Sequence, residues 1–240
     1  MTLLILGGRS LIGVELIRLA SSRGESFRSL GRKNMGDNYI YCDLRERESI
    51  LTALSHPEIA DVTRIIFCHR YRPSPFERSD LNDEMTIMVT GPMYLSQCAY
   101  EMFTNLSNIL FIGSPAAEYV SVEQPPEYHL SRSALESMSR CLAFSFGEKN
   151  IAVNTIRLGY VKNVLSPSKY SHDYYQMDKY AVPRGYGASP LEIATTIDNL
   201  SCMSTGLLTG QTITLDAGLS LRSHSSLAEH LRITLRDDGY

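Results

Sequence analysis

The sequence lacks the features that would place it in a membrane, outside the cell or on nucleic acid. No apolar run approaches the roughly 20 residues that a membrane-spanning helix needs. The N-terminal stretch TLLIL is too short for a signal-peptide core, and no basic residue precedes it. The formal net charge of −3 provides no overall positive field for nucleic acid. These absences predict a cytoplasmic protein without membrane or nucleic-acid partners.

Cysteine and histidine show no pattern of a structural cross-link. The chain has five cysteines, an odd number, and none of them forms a Cys-x-x-Cys pair. A disulfide framework is therefore not expected, and a reducing compartment fits the composition. The six histidines are scattered, without a His-x-x-x-His spacing or a cluster with cysteine. The sequence accordingly predicts no metal site.

Short apolar runs alternate along the chain with longer segments of helical periodicity. The strand-like runs lie at residues 3–6, 27–30, 39–42, 65–68, 109–112, 151–158 and 213–215. The helical segments lie at residues 11–23, 46–55, 80–103, 131–146 and from 189 onward. This β-α alternation, without a linker or an internal repeat, predicts one α/β domain with a doubly wound parallel sheet. Ligands of such a sheet bind beyond the carboxyl ends of its strands.

Three local signals refine the helices. Gly91-Pro92 predicts a kink or a split in the segment 80–103, because proline cannot donate the backbone hydrogen bond of a helix. Ser189-Pro190-Leu191-Glu192 has the residues of a capping box with proline in the first turn, so a helix should begin there. Tyr128 and Arg132 are four residues apart, and on a helix they would share one face.

The segment LLILGGRSLIG places two glycines around the turn from the first strand to the first helix. Gly7 permits the sharp turn, Gly13 permits close packing of the helix, and the helix N-terminus offers N–H groups to a pyrophosphate. The middle glycine of this motif is replaced by Ser10 or, in another alignment, by Leu11; we favour Ser10, which is small and donates a hydrogen bond. The alternative is a turn that binds nothing. We predict that five residues of this turn contact the cofactor: Gly7, Arg9, Ser10, Ile12 and Gly13.

The second predicted strand ends in SLGRK, where a dinucleotide-binding fold often carries an acidic residue for the ribose 2′-hydroxyl. Arg32 and Lys33 instead favour a 2′-phosphate, and therefore NADP(H) over NAD(H). The alternative is a solvated basic turn.

These residues resemble those of the short-chain dehydrogenase/reductase family over about residues 3–221. The similar segments are GGRSLIG, CDL at 42–44, FIGSPAA around Ser114, the block from Tyr128 to Val161, VPRGYGASPLEIA and LTGQTITLDAGLSL. The resemblance implies a Rossmann-like sheet of about seven strands with helices on both faces. It also implies a single dinucleotide-binding domain over 1–221, a C-terminal tail over 222–240, and a homodimer or homotetramer formed through the long helices.

The resemblance also implies the roles of individual residues. Ser114 would hold the substrate oxygen and Tyr128 would transfer the proton. Arg132 would bind the nicotinamide ribose and depress the pKa of the phenol. Asp43 would bind the adenine amino group. Further cofactor contacts would come from Leu44, Gly159 and Val161.

The chain departs from the family pattern at several positions. The family's lysine is Arg132, which stays charged but does not readily lose a proton. Where the family has an asparagine in the long helix, this chain has Met88, and where the family has Asn-Asn-Ala-Gly, it has CHRY at 68–71. The Pro-Gly that the family has after the sixth strand is replaced by Leu158-Gly159, and the threonine that follows it in the family is replaced by Asn163. Together these changes bear on turnover more than on binding.

The resulting hypothesis is an NADP(H)-dependent oxidoreductase that interconverts a carbonyl and an alcohol on a small polar substrate. The tyrosine-rich segment 162–187 would cover the substrate, and its tyrosines suit a polar ring, although ordinary surface tyrosines are the alternative. A second hypothesis is a non-catalytic dinucleotide-binding or interaction protein on the same fold. A third is an epimerase or dehydratase that retains its nucleotide.

Each predicted site residue also has a purely structural alternative. Tyr128 could be a surface tyrosine at a helix start, Ser114 a turn residue before proline, and Arg132 a solvated helix charge. His69 and Arg70 are predicted either to fill space or to hold an acidic group, and the sequence leaves both open.

Overall fold

A computed structural model describes residues 2–33, 36–71, 80–159, 161, 181–203, 206–223, 225–229 and 232. Within them, seven parallel strands form one sheet in the order β3-β2-β1-β4-β5-β6-β7. The strands are β1 (Thr2–Leu6), β2 (Ser26–Gly31), β3 (Tyr39–Tyr41), β4 (Val62–Phe67), β5 (Asn108–Gly113), β6 (Ala152–Leu158) and β7 (Thr212–Leu215). The predicted doubly wound parallel sheet is confirmed.

Helices cover both faces of this sheet. They are α1 (Leu11–Ser22), α2 (Arg47–Leu54), α3 (Leu81–Met85), α4 (Gly91–Met102), α5 (Pro126–Phe146) and α6 (Pro190–Ser201). On one face α1 packs against α6, and on the other α4 packs against both α2 and α5. Short 3₁₀ turns lie at Pro57–Ile59, Pro115–Ala117, Gly147–Lys149 and Leu219–Leu221.

The inner strand β1 shows why the apolar runs are continuous rather than alternating. All five of its residues are buried. Leu4 and Leu6 belong to the hydrophobic core under α2, α4 and α5, whereas Leu3 and Ile5 belong to the core under α1 and α6. Successive side chains of a strand point to opposite faces, and here both faces are covered.

The order of the strands determines where a ligand would bind. The chain moves outward from β1 to β2 and β3, then returns to β4 on the other side of β1. The crevice at this reversal, beyond the carboxyl ends of β1 and β4, is where doubly wound sheets bind their ligands. Gly7 and Cys68 follow those two strands, and Ser114 follows the neighbouring β5.

The predicted break at Gly91-Pro92 takes the form of a π-helical turn. The turn covers Thr86–Thr90 and joins α3 to α4 without a loop. Pro92 cannot donate to the carbonyl of Met88, so the regular hydrogen-bond ladder is interrupted there. Gly91 faces the backbone of Leu44, where a side chain would collide with the carbonyl oxygen.

The structure bears on two further helix predictions. The capping box at Ser189 is confirmed, since Ser189 Oγ accepts from the Glu192 N–H at 3.2 Å and the Ser189 N–H donates to Glu192 at 2.8 Å. The predicted helix start at residue 131 is wrong, because α5 begins at Pro126. Its first turn contains few apolar residues, so hydrophobic periodicity alone misses it.

Some predicted features fall outside the described residues. These are Asn163, residues 162–180 of the predicted covering segment, and most of the tail 222–240. Among the helices that are described, none is both long enough and apolar enough to cross a membrane. All five cysteines are described, and each is a free thiol.

Candidate active site

The glycine turn after β1 is held tightly against the end of β4. Gly7 has φ +87°, a left-handed conformation that favours glycine. A Cβ atom on Gly7 would lie 2.5 Å from the backbone nitrogen and Cα of His69, and one on Gly13 would collide with the Gly7 carbonyl. The sharp turn at Gly7 and the close packing at Gly13 agree with the sequence prediction, and the contact of Gly7 with the His69 backbone adds to them.

The N-terminus of α1 faces this turn. Ser10 is the N-cap, and its Oγ accepts from the Gly13 N–H at 3.0 Å. The first N–H groups of a helix have no intrahelical acceptor, so those of Leu11 and Ile12 remain available to a ligand. Arg9 is exposed beside them. Amide donors, a helix dipole and a nearby cation fit a pyrophosphate.

Asp43 lies at the edge of this region and already has a partner. Its carboxylate accepts from the Arg45 guanidinium at 2.7 and 3.1 Å and from the Arg45 backbone N–H at 3.0 Å. Burial raises the pKa of Asp43, but these bonds and the charges of Arg45 and Arg32 outweigh it and leave that pKa lowered. The basic end of β2 lies beside the end of β3, since the Cys42 N–H donates to the Gly31 carbonyl at 2.9 Å, and Arg32 and Lys33 are both exposed.

Ser114 directly follows β5 and is partly buried. Its Oγ accepts from the Ala116 N–H at 3.3 Å and caps the 3₁₀ turn Pro115–Ala117. A hydroxyl has one proton to donate besides its acceptor sites. Ser114 therefore combines its place in a turn with a free O–H that a substrate oxygen could accept.

Tyr128 and Arg132 meet on the first turns of α5. The centre of the Arg132 guanidinium lies 4.4 Å from the centroid of the Tyr128 ring. The Arg132 side chain is only 3 % exposed, and its Nη2 lies 3.7 Å from Glu84 Oε1. Arg132 is thus a buried cation, and the alternative of a solvated helix charge is wrong. Contact with a nicotinamide ribose stays a prediction.

Glu84, on α3, is a buried residue that the sequence analysis missed. The Ser131 hydroxyl donates to Glu84 Oε1 at 2.7 Å, in addition to the ion pair with Arg132. Burial raises the pKa of Glu84, and Ser131 and Arg132 oppose that rise. No local sequence signal links residues 84 and 132, because their contact is made by packing of α3 on α5.

A second ion-pair network fixes the segment after Ser114. Arg157, near the end of β6, donates to both oxygens of Glu136 on α5 at 3.0 and 2.9 Å and also to Glu118. The hydrogen bonds to Glu136, together with the charges of both glutamates, raise the pKa of Arg157 despite its burial. The network connects β6, α5 and the chain just beyond the Pro115–Ala117 turn.

The last two predicted cofactor residues lie beyond β6. The Gly159 N–H donates to the carbonyl of Leu215 at 3.0 Å, and a Cβ there would lie 2.5 Å from the Asp216 side chain. Val161 forms an isolated parallel bridge with Ala188. Both residues therefore continue the carboxyl edge of the sheet.

Comparison with known families gives this geometry a context. A family model described as enoyl-(acyl carrier protein) reductase matches residues 67–220, more than half of the chain. This chain belongs to the short-chain dehydrogenase/reductase family. By family it is an oxidoreductase.

Several relatives are distant in sequence but match nearly the whole chain. A tropinone reductase homolog of Arabidopsis thaliana is 23% identical over 249 residues, 94% of this chain and 95% of the relative. The cyclic-di-GMP-binding biofilm dispersal mediator protein of Escherichia coli is 24% identical over 230 residues, 90% of this chain and 95% of the relative. The crystal structure of BdcA in complex with NADPH matches with a TM-score of 0.74 at 22% identity and covers 90% of this chain and 93% of that one.

This short-chain dehydrogenase/reductase carries an unusual side chain after β4. His69 Nε2 lies 2.8 Å from the carbonyl oxygen of Ile87 in the π-helical turn. Met88, in the same turn, is buried, and its sulfur accepts from the Tyr71 N–H at 3.2 Å. His69 and Met88 therefore tie the loop after β4 to the π turn beside α5.

Proposed function

We propose that the protein is an NADP(H)-dependent oxidoreductase that interconverts a carbonyl and an alcohol on a small polar substrate. The observation that carries this proposal is the contact between Tyr128 and Arg132 at the carboxyl edge of the sheet. A phenol beside a fixed cation, with the Ser114 hydroxyl at the end of β5, has the residue types that acid–base catalysis on a carbonyl requires.

Each side chain has a distinct task in this proposal. In the direction of reduction, Tyr128 gives its proton to the carbonyl oxygen, and the Ser114 O–H donates a hydrogen bond to the same oxygen. The guanidinium of Arg132 stabilises the phenolate that remains, because a cation within about 5 Å in a low-dielectric site favours the charged form. NADPH, when bound, supplies the hydride.

The choice of NADP(H) over NAD(H) is supported by charge. Arg32 and Lys33 are exposed at the end of β2, where a ribose 2′-phosphate would be recognised. The free N–H groups of Leu11 and Ile12 would hold the pyrophosphate. The adenine would lie near Asp43 and Leu44.

The test is to follow NADPH oxidation against a panel of small carbonyl compounds. The Tyr128→Phe variant should lose about 100-fold or more in turnover, because it removes the proton donor and leaves the ring in place. Tyr41→Phe, at an exposed tyrosine of β3, is the matched control. Turnover that survives in Tyr128→Phe would end the assignment.

A second candidate is a non-catalytic nucleotide-binding protein on the same fold. The buried ion pair of Arg132 with Glu84 favours it, because part of the cation's field is already neutralised. The relative that is named for cyclic-di-GMP binding also supports a nucleotide-binding role. This candidate predicts a thermal shift with NADPH but no turnover on any carbonyl.

We also propose that the protein is a homodimer or homotetramer. Phe144 lies on α5 with 90% of its surface exposed, a large apolar contact for one side chain. Light scattering of the purified protein measures the mass directly, and a monomer at all concentrations would contradict this part of the proposal.

A further inference from the structure

One loop joins the two proposed catalytic hydroxyls. It covers residues 115–125 and runs from Ser114, after β5, to the first turn of α5, which carries Tyr128. Because both of its ends belong to the site, the loop borders the space in which a substrate oxygen would lie between the two hydroxyls. The shape of that border depends on the contacts that hold the loop against the rest of the protein.

The half of the loop nearer β5 is held by side chains of α5 and β6. The Ser133 hydroxyl of α5 donates to the carbonyl of Ala117 at 2.8 Å. Arg157 of β6 donates to the carboxylate of Glu118. Two different elements therefore fix the first part of the loop, and neither contact extends beyond residue 118.

The half of the loop nearer α5 is held by His129. The Ser121 N–H donates to His129 Nε2 at 2.9 Å, and Nδ1 lies 3.0 Å from the carbonyl oxygen of Pro125. A backbone N–H only donates and a carbonyl oxygen only accepts, so Nε2 is the acceptor nitrogen and Nδ1 carries the proton. Since an imidazolium has no acceptor nitrogen, His129 is neutral in this arrangement.

The turn at residues 121–124 depends on this histidine. The Gln124 N–H donates to the Ser121 carbonyl at 3.0 Å and closes the turn. Among the described residues, no other side-chain hydrogen bond or ion pair joins residues 120–124 to the rest of the protein. Val120 and Val122 are 85% and 91% exposed, so they bury little surface. The imidazole is therefore what joins this turn to α5.

His129 also lies beside the proposed proton donor. The centroids of the Tyr128 and His129 rings are 6.3 Å apart, with the rings nearly perpendicular. The Pro125 carbonyl, which faces His129 Nδ1, also accepts from the Tyr128 backbone N–H at 3.1 Å. The loop is thus fixed with respect to Tyr128 itself.

We propose that His129 is a positioning residue that holds the turn at residues 121–124 as one wall of the substrate site. Both of its ring nitrogens are occupied by backbone groups of the loop, so it is not a proton donor in the reaction. Its effect is to order the wall before the substrate arrives, which strengthens binding. The inference rests on the proposed function, because it assigns the wall against which that substrate would bind.

Two variants separate the two hydrogen bonds of the ring. His129→Gln places an amide oxygen where Nε2 lies and keeps an acceptor for Ser121. The side chain of His129→Asn is one bond shorter, so it keeps a donor for Pro125 but does not reach Ser121. We expect His129→Asn to raise KM for the carbonyl substrate roughly tenfold and to change kcat less than about threefold, because the loop must then be ordered on binding while the reacting groups are retained.

His129→Gln should keep a KM close to that of the wild type. The matched control is His56→Asn, because His56 Nδ1 also accepts a backbone N–H, from Glu58 at 3.4 Å, in the turn before β4. It should change neither constant. A KM unchanged in His129→Asn, an equal rise of KM in both His129 variants, or a fall in kcat alone would overturn the proposal.

Nuclear magnetic resonance tests the contact without turnover. At pH 8 long-range ¹H–¹⁵N spectra of the wild type should show His129 as the Nδ1–H tautomer. Solvent exchange of the Ser121 amide, measured by magnetisation transfer from water, should be at least tenfold faster in His129→Asn than in the wild type or in His129→Gln. An Nε2–H tautomer in the wild type, or equal exchange in all three proteins, would refute the role of His129. If the wild type turns over no carbonyl, the proposed function fails, whereas the tautomer and the exchange rates still decide whether His129 holds the loop.

Discussion

The guanidinium of Arg132 lies 4.4 Å from the centroid of the Tyr128 ring and its Nη2 lies 3.7 Å from Glu84. The first contact is a cation–π interaction and the second a buried ion pair. Both partners of the pair are 3 % exposed, so water contributes little to their stabilisation. The position of this cation therefore depends on α3 as much as on α5.

Removing the charge of Glu84 should destabilise the fold. In Glu84→Gln the amide oxygen still accepts from Ser131, but the buried Arg132 loses its counter-charge. The uncompensated charge of Arg132 outweighs the relief of no longer burying the Glu84 carboxylate, whose pKa burial raises, so we expect a decrease of about 3 kcal/mol in the free energy of unfolding at pH 7. Urea denaturation measures this change.

The matched control is Glu123→Gln, at an exposed glutamate of the loop before α5, which should change stability by less than about 0.5 kcal/mol. The double variant Glu84→Gln/Arg132→Met should recover part of the loss, because it leaves no unpaired buried charge. A Glu84→Gln protein as stable as the control would show that the pair contributes nothing.

Alanine at Gly7 tests the tight contact between the glycine turn and β4. Gly7 and Gly24 both have positive φ, but a Cβ on Gly24 would meet no atom within 4 Å, whereas one on Gly7 would lie 2.5 Å from His69 backbone. Gly24→Ala should lower the free energy of unfolding by about 1–2 kcal/mol, because only the left-handed conformation disfavours alanine there. Gly7→Ala should lower the free energy of unfolding by roughly 3 kcal/mol or more, because the new Cβ would also collide with the His69 backbone. Equal losses in thermal denaturation would contradict the close contact.

Acid should weaken a charge cluster that lies at the amino edge of the sheet, opposite the candidate site. Asp198 on α6 accepts from Arg23 at 2.5 Å and from Arg64 at 3.2 Å. Burial raises its pKa, but the two arginines outweigh this and leave the pKa lowered. The unfolded chain then binds the proton more readily, so this stabilisation is complete above the ordinary aspartate pKa and is lost as pH falls through the folded-state pKa.

Asp198→Asn should therefore be destabilised by about 2–4 kcal/mol at pH 7, and its difference from the wild type should shrink toward pH 3. Denaturant unfolding at a series of pH values measures both effects. Glu101→Gln, at an exposed residue of α4, serves as the control. A difference that stays constant with pH would mean that the Asp198 charge is not linked to folding.

The basic end of β2 should decide the choice of dinucleotide. Arg32→Ala should weaken NADPH binding roughly tenfold or more and leave NADH binding nearly unchanged, because only NADPH carries the 2′-phosphate. Arg18→Ala, at an exposed arginine of α1, should change neither affinity. Calorimetric titration gives both constants, and an equal loss for NADPH and NADH would argue against 2′-phosphate recognition.

The sheet was predictable because its inner strands β1, β4, β5 and β6 are almost entirely buried. Each of the seven apolar runs overlaps an observed strand, since continuous apolar sequence is what covered parallel strands require. The turn at Gly7 was predictable for a similar reason, because its spacing to Gly13 is set by local backbone geometry. The first turn of α5 was missed because Pro126 and its polar neighbours show no apolar periodicity.

The environment of the candidate site was less predictable. The stacking of Tyr128 and Arg132 follows from their helical spacing. The burial of Arg132 does not, because its partner Glu84 lies on another helix and meets it only after both helices pack on the sheet. The same holds for His69, whose partner is a backbone carbonyl in a π turn that no side-chain pattern encodes.

The strand order has a consequence for the emerging chain during synthesis. β1 lies between β2 and β4, and Leu6 pairs with Phe67, so β1 cannot be paired on both sides until residue 67 has left the ribosome. Parallel pairings of such long range form slowly. Until then the most apolar strand has an open edge, which makes early translation the stage at which this chain is most exposed to aggregation.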